Sequence, residues 1–193
     1  MRLRIVAGSL GRRFITVDKN ARMSEFRPTQ ERVRQAVAET IKTGIPGAVV
    51  VDLCAGSGAF GFEMASRGAE RVHFVESDRA RAQCIAKHIE LFGVKDICTV
   101  IQADVRKFVP ACRQQYDIVF YDPPYGDAGL AALAGQLPSL LSKNGVLLYE
   151  RDVSEVPSSD IFPSADFNRE TREYGDTAVE FIRRKARKPG IVG

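Results

Sequence analysis

The residues best suited to chemistry in this chain are a run of Asp-Pro-Pro-Tyr-Gly at positions 122–126. Two consecutive prolines have a fixed φ and no amide hydrogen, so they hold the neighbouring acceptors rigidly. A planar exocyclic amine has two N–H donors, and the Asp122 carboxylate and the Pro123 carbonyl can accept one each. Tyr125, which follows Pro124, can stack on a base, a contact worth roughly 1–3 kcal/mol. The run predicts a site for a nitrogenous base, and the alternative is a proline-rich turn around a buried tyrosine.

A glycine-rich segment, DLCAGSGAFG at positions 52–61, matches the pattern GxGxxG. This pattern is typical of dinucleotide sites, where the first glycine directly follows a strand. Here an aspartate stands four residues before the first glycine. A carboxylate favours a cation over a pyrophosphate, and S-adenosylmethionine (SAM) carries a sulfonium and no phosphate. We therefore expect a SAM site, with an NAD site and a purely structural loop as the alternatives. The residues expected to bind SAM in this segment are Asp52, Ala55, Gly56, Gly58 and Gly61.

Two further acids stand where the next strands are expected to end. Glu76 lies 24 residues after the first acid, and a carboxylate there can accept the ribose hydroxyls of the adenosine in SAM, with Ser77 beside it. Asp104 is placed to accept a hydrogen bond from the adenine amino group. Both segments have a second interpretation, because Ser77, Asp78 and Asp104 can each cap a following helix. The two interpretations are compatible at Glu76 and equally open at Asp104.

The elements that must position these residues follow from the hydrophobic pattern. Short apolar runs such as residues 48–53 are typical of buried parallel strands, and they alternate with helical stretches through the middle of the chain. This alternation predicts a doubly wound α/β sheet, in which ligands bind beyond the carboxyl ends of the strands. Residues 166–174 and 177–184 predict an antiparallel hairpin. Residues 2–17 predict an N-terminal β-hairpin, and a helix capped by Thr29 is expected to follow.

Composition and charge narrow the class of protein. The 193 residues, 45% hydrophobic and 27% charged, predict one ordinary domain. The chain has neither a long apolar span nor a signal peptide, so we expect a cytoplasmic protein, and its four scattered cysteines and two histidines argue against a metal site. The net charge is +6 over residues 1–45, −7 over 46–182 and +5 over 183–193. Basic ends favour a polyanionic partner, although a solvated basic surface would give the same count.

Combined, the glycine segment, the acid after the second strand and the DPPY run resemble SAM-dependent amino methyltransferases, which act on exocyclic amines or glutamine amides. The N-terminal sequence resembles the RsmD family more narrowly, and the resemblance covers nearly the whole chain. The matching segments are residues 4–8 (RIVAG), 11–14 (GRRF), 27–29 (RPT), 31–34 (ERVR) and 175–177 (GDT). The resemblance implies a Rossmann-like class I methyltransferase fold. Its sheet is mostly parallel and seven-stranded, with an antiparallel C-terminal hairpin and a small N-terminal β-hairpin and helix.

The same resemblance implies transfer of a methyl group from SAM to N2 of a guanine in 16S ribosomal RNA. The expected partner is this RNA or the assembling small subunit, and the expected state is a monomer without a metal. The implied catalytic residues are Asp122, Pro123, Pro124 and Tyr125. The residues expected to hold RNA phosphates are Arg4, Arg12, Arg13, Arg27, Arg32 and Arg34.

The implied division of the chain is an RNA-binding extension over 1–45, a methyltransferase domain over 46–184 and a mobile basic tail over 185–193. The alternatives are an adenine-N6 methyltransferase acting on RNA or DNA and a non-catalytic RNA-binding module.

Overall fold

The computed structural model describes residues 2–17, 28–124, 126–155 and 161–185, without the side chains of 28–30. The elements in the N-terminal half are β1 (Arg2–Arg4), β2 (Phe14–Thr16), α1 (Pro28–Thr40), a 3₁₀ turn (Lys42–Gly44), β3 (Val49–Leu53), α2 (Ala59–Ser66), β4 (Arg71–Glu76) and α3 (Arg79–Phe92). Those that follow are β5 (Cys98–Gln102), α4 (Val105–Ala111), β6 (Tyr116–Tyr121), α5 (Ala128–Leu133), a 3₁₀ helix (Ala134–Leu140), β7 (Leu141–Asp152), β8 (Phe167–Tyr174) and β9 (Thr177–Arg184). Within these described ranges, no helix is long and apolar enough to cross a membrane.

Seven strands form one sheet in the order β5-β4-β3-β6-β7-β9-β8. The five strands from β5 to β7 are parallel, whereas β9 runs antiparallel to both β7 and β8. The predicted mostly parallel sheet with an antiparallel C-terminal hairpin is confirmed. The strand order reverses between β3 and β6, and in open α/β sheets a ligand crevice forms at such a reversal.

The sheet separates two apolar cores because its strands are buried on both faces. Alternate residues point to opposite faces, so Val50 and Ile118 pack with α1, α2 and α3, whereas Val51 and Val119 pack with α4 and α5. This explains why the strands are nearly continuous apolar runs rather than alternating ones. The crevice at the β3–β6 reversal is therefore covered on one face by α1, α2 and α3.

The N-terminal segment forms the predicted hairpin, in which β1 and β2 are antiparallel with Leu3 opposite Ile15. The turn of the hairpin packs against the C-terminal end of α2. Gly8 has a φ of +82°, and a Cβ at this position would lie 1.8 Å from the Ser66 carbonyl oxygen, so only glycine allows the contact. Ser9 N–H donates to the same oxygen at 2.8 Å. The N-terminal segment is thus packed against the main domain by backbone contacts.

The predicted cap of α1 is wrong. The helix begins at Pro28, so Thr29 lies within its first turn instead of preceding it. Proline is favoured at the first helical position because its missing N–H has no partner there in any case.

Candidate active site

Four adjacent parallel strands, β4, β3, β6 and β7, each contribute an acid at or near the carboxyl end. The acids from β4, β6 and β7 each lie two positions beyond the level of Asp52 in β3. Because the pleat repeats every two residues, all four acids belong to the same face of the sheet, the one covered by α1, α2 and α3. The four acids are Asp52, Glu76, Asp122 and Glu150.

Asp52 is enclosed at the end of β3, with 2% of its surface exposed. Its Oδ2 accepts a hydrogen bond from Gly61 N–H at 2.9 Å. Burial raises the pKa of this carboxyl well above its usual value, and the nearby Asp122 and Glu76 add to the rise. The anion is therefore poorly stabilised without a ligand, and a cation placed beside it would stabilise its charged form.

The glycine loop adopts left-handed backbone at three positions, Cys54, Gly56 and Gly58, with φ of +59°, +55° and +75°. Left-handed φ is uncommon for a residue with a side chain, and such strain is found at functional sites. A Cβ on Gly56 would meet only the Cys54 carbonyl oxygen, at 3.8 Å, so the loop is open above this glycine. By contrast, a Cβ on Gly61 would lie 2.2 Å from the Phe74 ring, so this glycine lets α2 approach β4.

Glu76 links the loop after β3 to the loop after β4. Its Oε2 accepts from Gly56 N–H at 2.7 Å, and its Oε1 accepts from Asp78 N–H at 2.8 Å. Asp78 in turn caps α3 by accepting from Arg81 N–H, as the sequence predicted. A carboxylate oxygen has a second lone pair, so acceptance of ribose hydroxyls by Glu76 stays a prediction. Ser77 lies exposed beside it, and Ala55 is half-buried in the loop.

The loop and its acids fit SAM better than a dinucleotide. Glu76 contacts Gly56 N–H, and Asp122 and Glu76 lie close enough to Asp52 to act on its charge. Negative charge beside the loop attracts a sulfonium and an ammonium and repels a pyrophosphate. When bound, SAM supplies an electrophilic methyl group. In this arrangement Asp52 and Glu76 would hold the cofactor, while the open backbone at Gly56 allows its close approach.

The Asp-Pro-Pro run follows β6 directly and reaches the same edge of the sheet. Asp122 is half-buried, Pro123 is buried and Pro124 is exposed, whereas Tyr125 lies outside the described residues. Burial raises the pKa of Asp122 to about 7. The strand beneath is held in place, because Phe120 stacks on Phe60 with ring centroids 3.9 Å apart. The run is thus fixed beside the glycine loop, as its position in the sequence predicted.

Sequence reasoning missed Glu150, the fourth acid of the set. It lies on β7 and is 5% exposed. Burial raises its pKa well above the usual value, the neighbouring charge of Asp122 raises it further, and Arg34 lowers it. The signal that could have found it is an acid at the end of the apolar run VLLYE, the same pattern that marks Glu76. Its alignment with Asp122 depends on the pairing of β7 with β6.

Asp104 caps the helix α4, which is one of the two roles that the sequence left open for this residue. Its Oδ1 accepts from Arg106 N–H at 2.9 Å at the start of α4, and its Oδ2 accepts from the Arg106 guanidinium at 2.8 Å. Hydrogen bonds from Arg106 lower the pKa of this carboxyl, so Asp104 is an anion at neutral pH. A hydrogen bond from adenine stays a prediction for this residue.

Most of the arginines expected to bind RNA phosphates are exposed on the N-terminal segment. Arg4, Arg12 and Arg32 are exposed, and Arg13 is exposed while its guanidinium lies 5.6 Å from the centroid of the Phe92 ring. Arg27 lies outside the described residues.

Arg34 requires a correction. Only 8% of its surface is exposed, and its Nη2 donates to the Arg4 carbonyl oxygen at 2.9 Å. The helix α1 turns this side chain towards the sheet, so it is not presented to an RNA phosphate as the sequence prediction required.

A doubly wound sheet with this strand order, a glycine loop flanked by buried acids after β3 and an Asp-Pro-Pro run after β6 define a class of enzymes, the SAM-dependent methyltransferases. The protein SMU.776, solved in complex with SAH, shares this fold at 18% identity, with a TM-score of 0.67 over 81% of this chain and 50% of that chain.

The family follows from comparison with known sequences. Residues 3–183 match the family described as "Conserved hypothetical protein 95". Ribosomal RNA small subunit methyltransferase D of Haemophilus influenzae is 32% identical over 149 residues, 75% of this chain and 73% of that protein. The protein of the same name from Escherichia coli K12 is 30% identical over 148 residues, 77% of this chain and 71% of that protein. The chain belongs to this family, the RsmD family.

One solved structure extends the likeness over nearly the whole chain. The hypothetical protein TTHA0928 of Thermus thermophilus is 26% identical, with a TM-score of 0.78 over 94% of this chain and 99% of that protein.

Proposed function

We propose that this enzyme transfers the methyl group of SAM to N2 of a guanine in 16S ribosomal RNA. The observation that carries the proposal is the position of Asp122 and Pro123, directly after β6 and beside the glycine loop. The rRNA substrate is supported by the names of the curated relatives, which are small subunit rRNA methyltransferases.

The arrangement suits methylation of a flat exocyclic amine. The lone pair of the guanine amine is delocalised into the ring, which makes the nitrogen a poor nucleophile. The Asp122 carboxylate and the Pro123 carbonyl would accept its two N–H groups and draw the nitrogen towards tetrahedral geometry. The lone pair then points away from these acceptors and towards the methyl group. As the N–C bond forms, the S–CH₃ bond of SAM would break to leave SAH, and the Asp122 carboxylate would accept the amine proton that is lost. Positioning of this kind can lower the barrier by about 7–11 kcal/mol.

The target base must leave its stack to reach this edge of the sheet, as in other enzymes that modify bases. The exposed Arg4, Arg12 and Arg32 of the N-terminal segment would hold the surrounding phosphates. From the sequence alone, Tyr125 is expected to stack on the base that enters the site. RNA binding would thus be shared between the extension and the DPPY run.

The role of Asp122 is tested by Asp122→Ala in single-turnover assays with labelled SAM and small subunits that lack the modification. We expect SAM binding to be retained and the methyl-transfer rate to fall by about 10²-fold or more, because a preorganised acceptor is lost. Asp117→Asn is the matched control, since Asp117 lies at the opposite end of β6, where it accepts from Val49 N–H. Full activity of Asp122→Ala would contradict the proposal.

The identity of the product is tested by nucleoside mass spectrometry after reaction with small subunits, naked rRNA and DNA. N2-methylguanosine from 16S rRNA is the expected product. N6-methyladenosine would instead establish the adenine-N6 alternative. Absence of SAM binding in calorimetry would favour the non-catalytic RNA-binding alternative.

A further inference from the structure

The outer face of the N-terminal hairpin carries an exposed aromatic ring, Phe14 of β2. The residue has 46% of its surface exposed, and Leu91 is the other large apolar residue exposed among those that the structure describes. Leu3 and Ile15 point the opposite way and are buried in the core. Single exposed apolar residues are common on protein surfaces, so the neighbours of this ring decide what it can do.

Two arginines of β1 share this outer face with Phe14. The guanidinium carbon of Arg2 lies 5.2 Å from the centroid of the Phe14 ring, within the range of a cation–π contact. Arg4 is opposite Phe14 in the strand register, and it is exposed. Proteins stack unpaired RNA bases on aromatic rings and on guanidinium planes. The outer face therefore offers a stacking surface for a base and positive charge for its phosphates.

The charge of the hairpin favours a polyanion. Residues 2–17 contain four arginines and no acidic residue, and all four arginines are exposed. A surface of one sign attracts a partner of the opposite sign, which here is a nucleic acid or an acidic protein. The flat ring among these charges favours the nucleic acid, because every base presents a π face that can stack on it.

The hairpin lies along α3, which begins at the edge of the sheet that holds the candidate active site. Arg13 donates to the Phe92 carbonyl oxygen at 3.4 Å, and Thr16 N–H donates to His88 Nε2 at 3.0 Å. Strand β2 therefore advances from the last turn of α3 towards its first turn, with Phe14 between the two contacts. At 1.5 Å per residue, this level of α3 is about 15 Å from the start of the helix. A few nucleotides of an RNA strand can bridge that distance.

We propose that Phe14, with Arg2 and Arg4 beside it, is a stacking site for an unpaired base that lies a few nucleotides from the methylated one. The inference rests on the proposed function for the identity of the polymer, which is RNA. The base stacks on the exposed part of the Phe14 ring, and Arg4 contacts a neighbouring phosphate. Stacking of this kind tolerates any base, so the site selects a single strand over a duplex rather than a particular sequence.

Anisotropy titrations with a labelled single-stranded fragment of 16S rRNA separate stacking from charge. Phe14→Ala should weaken binding about 10-fold, and the slope of log affinity against log salt should stay at the wild-type value because no phosphate contact is lost. Phe14→Leu, which keeps an apolar side chain without a π face, should lose as much, whereas Phe14→Tyr should bind like wild type. Wild-type affinity of Phe14→Leu would contradict the inference.

Leu91→Ala is the matched control, since it removes the other exposed apolar side chain from a helix outside the hairpin. It should keep wild-type affinity. A loss equal to that of Phe14→Ala would show that exposed apolar surface in general, and not stacking at the hairpin, contributes to binding.

The chain contains no tryptophan, so Phe14→Trp gives an optical probe of the contact itself. We expect the indole emission to be quenched by the single-stranded fragment and not by the same fragment annealed to its complement, because paired bases do not expose a face to the ring. Leu91→Trp should show no quenching with either form. Unchanged emission of Phe14→Trp at saturating single strand, or equal quenching by both forms, would overturn the inference.

These titrations need no methyl transfer, so their outcome is independent of the proposed chemistry. If mass spectrometry identifies a methylated base other than guanine while Phe14→Trp is quenched, the proposed function fails and the stacking site stands. If guanine is methylated but the emission is unchanged, the proposed function stands and the stacking site fails.

Discussion

At the scale of single residues, the site is a set of acids held in a poorly solvated position before any ligand arrives. Asp52 shows this most clearly, because the hydrogen bond that it accepts from Gly61 N–H does not outweigh the effect of burial on its pKa. The free energy of binding a cation at this site therefore includes the free energy of ionising the Asp52 carboxyl group. This couples cofactor binding to proton release.

We predict that SAM affinity rises with pH. The pKa of Asp52 is raised in the free enzyme, and a bound cation favours the carboxylate, so binding releases protons and weakens as the pH falls. Calorimetry in buffers of different ionisation enthalpy measures the released protons directly. Asp52→Asn should reduce both the affinity and the number of protons released, whereas Asp96→Asn, an exposed acid before β5, should change neither. An affinity for SAM that is independent of pH would contradict this interpretation.

Residue types and spacing predicted three of the four acids at the strand ends, namely Asp52, Glu76 and Asp122, and missed Glu150. Asp52 and Asp122 stand beside a glycine loop and a proline pair, so their place at one edge follows from the parallel topology. Glu150 has no such neighbours, and its position depends on the register of β7 against β6. The burial of Arg34 depends on how α1 packs against the sheet, which single-helix patterns do not determine.

At the scale of elements, the antiparallel end of the sheet is held by a buried ion cluster. Glu180 on β9 is fully buried and accepts from Arg151 on β7 at 2.6 Å and from Arg169 on β8 at 2.6 Å. Burial opposes its ionisation, but the hydrogen bonds from Arg169, Arg151 and Thr171 outweigh this effect, so its pKa is lowered. One carboxylate thus joins three neighbouring strands.

We predict that Glu180→Ala lowers the free energy of unfolding by about 3–5 kcal/mol, because it removes the carboxylate partner of the buried Arg151 and the half-buried Arg169. Glu170→Ala is the matched control. Its ion pair with Arg172 is exposed, so its loss should cost about 0–1 kcal/mol. Urea unfolding at pH 7 measures both.

The pH dependence of unfolding gives a separate check on Glu180. Its folded pKa is depressed, so its contribution is present above the unfolded pKa and is lost as the pH falls through the folded one. Wild type should therefore lose more stability than Glu180→Gln on acidification. If the Glu170 and Glu180 substitutions lowered the free energy of unfolding equally at pH 7, the ion cluster would not stabilise the antiparallel end of the sheet.

The boundaries of helices and strands were predictable where the hydrophobic pattern is regular. They were not predictable where one type of helix changes into another within a continuous stretch. The stretch 129–141 predicts a single helix, but α5 ends at Leu133 and continues as a 3₁₀ helix to Leu140. Pro138 lacks the N–H that an α-helical turn would use, which favours the change of geometry. The sheet order was predictable in outline because βαβ connections restrict the arrangement.

At the scale of the whole molecule, the acidic middle of the chain and its basic N-terminal segment occupy different places. Four acids of the middle segment, Asp52, Glu76, Asp122 and Glu150, gather at one edge of the sheet. Arg4, Arg12 and Arg32 remain exposed on the segment packed against α2 and α3. This separation lets one surface attract a polyanion while a nearby acidic crevice selects a cationic cofactor. The net charge of only +4 is therefore the sum of opposite charges that lie in different parts of the molecule.

We therefore predict that RNA affinity falls steeply with salt and that the N-terminal arginines account for part of the slope. Each phosphate contact with a single strand contributes about 0.7 to the slope of log affinity against log salt. Arg4→Ala and Arg32→Ala should each reduce the slope by about this amount, measured by fluorescence anisotropy of a labelled 16S rRNA fragment. Arg113→Ala, an exposed arginine after α4, is the matched control and should leave the slope unchanged. An equal loss of slope in all three variants would mean that binding follows net charge alone, and no loss at Arg4 and Arg32 would remove the N-terminal segment from the RNA interface.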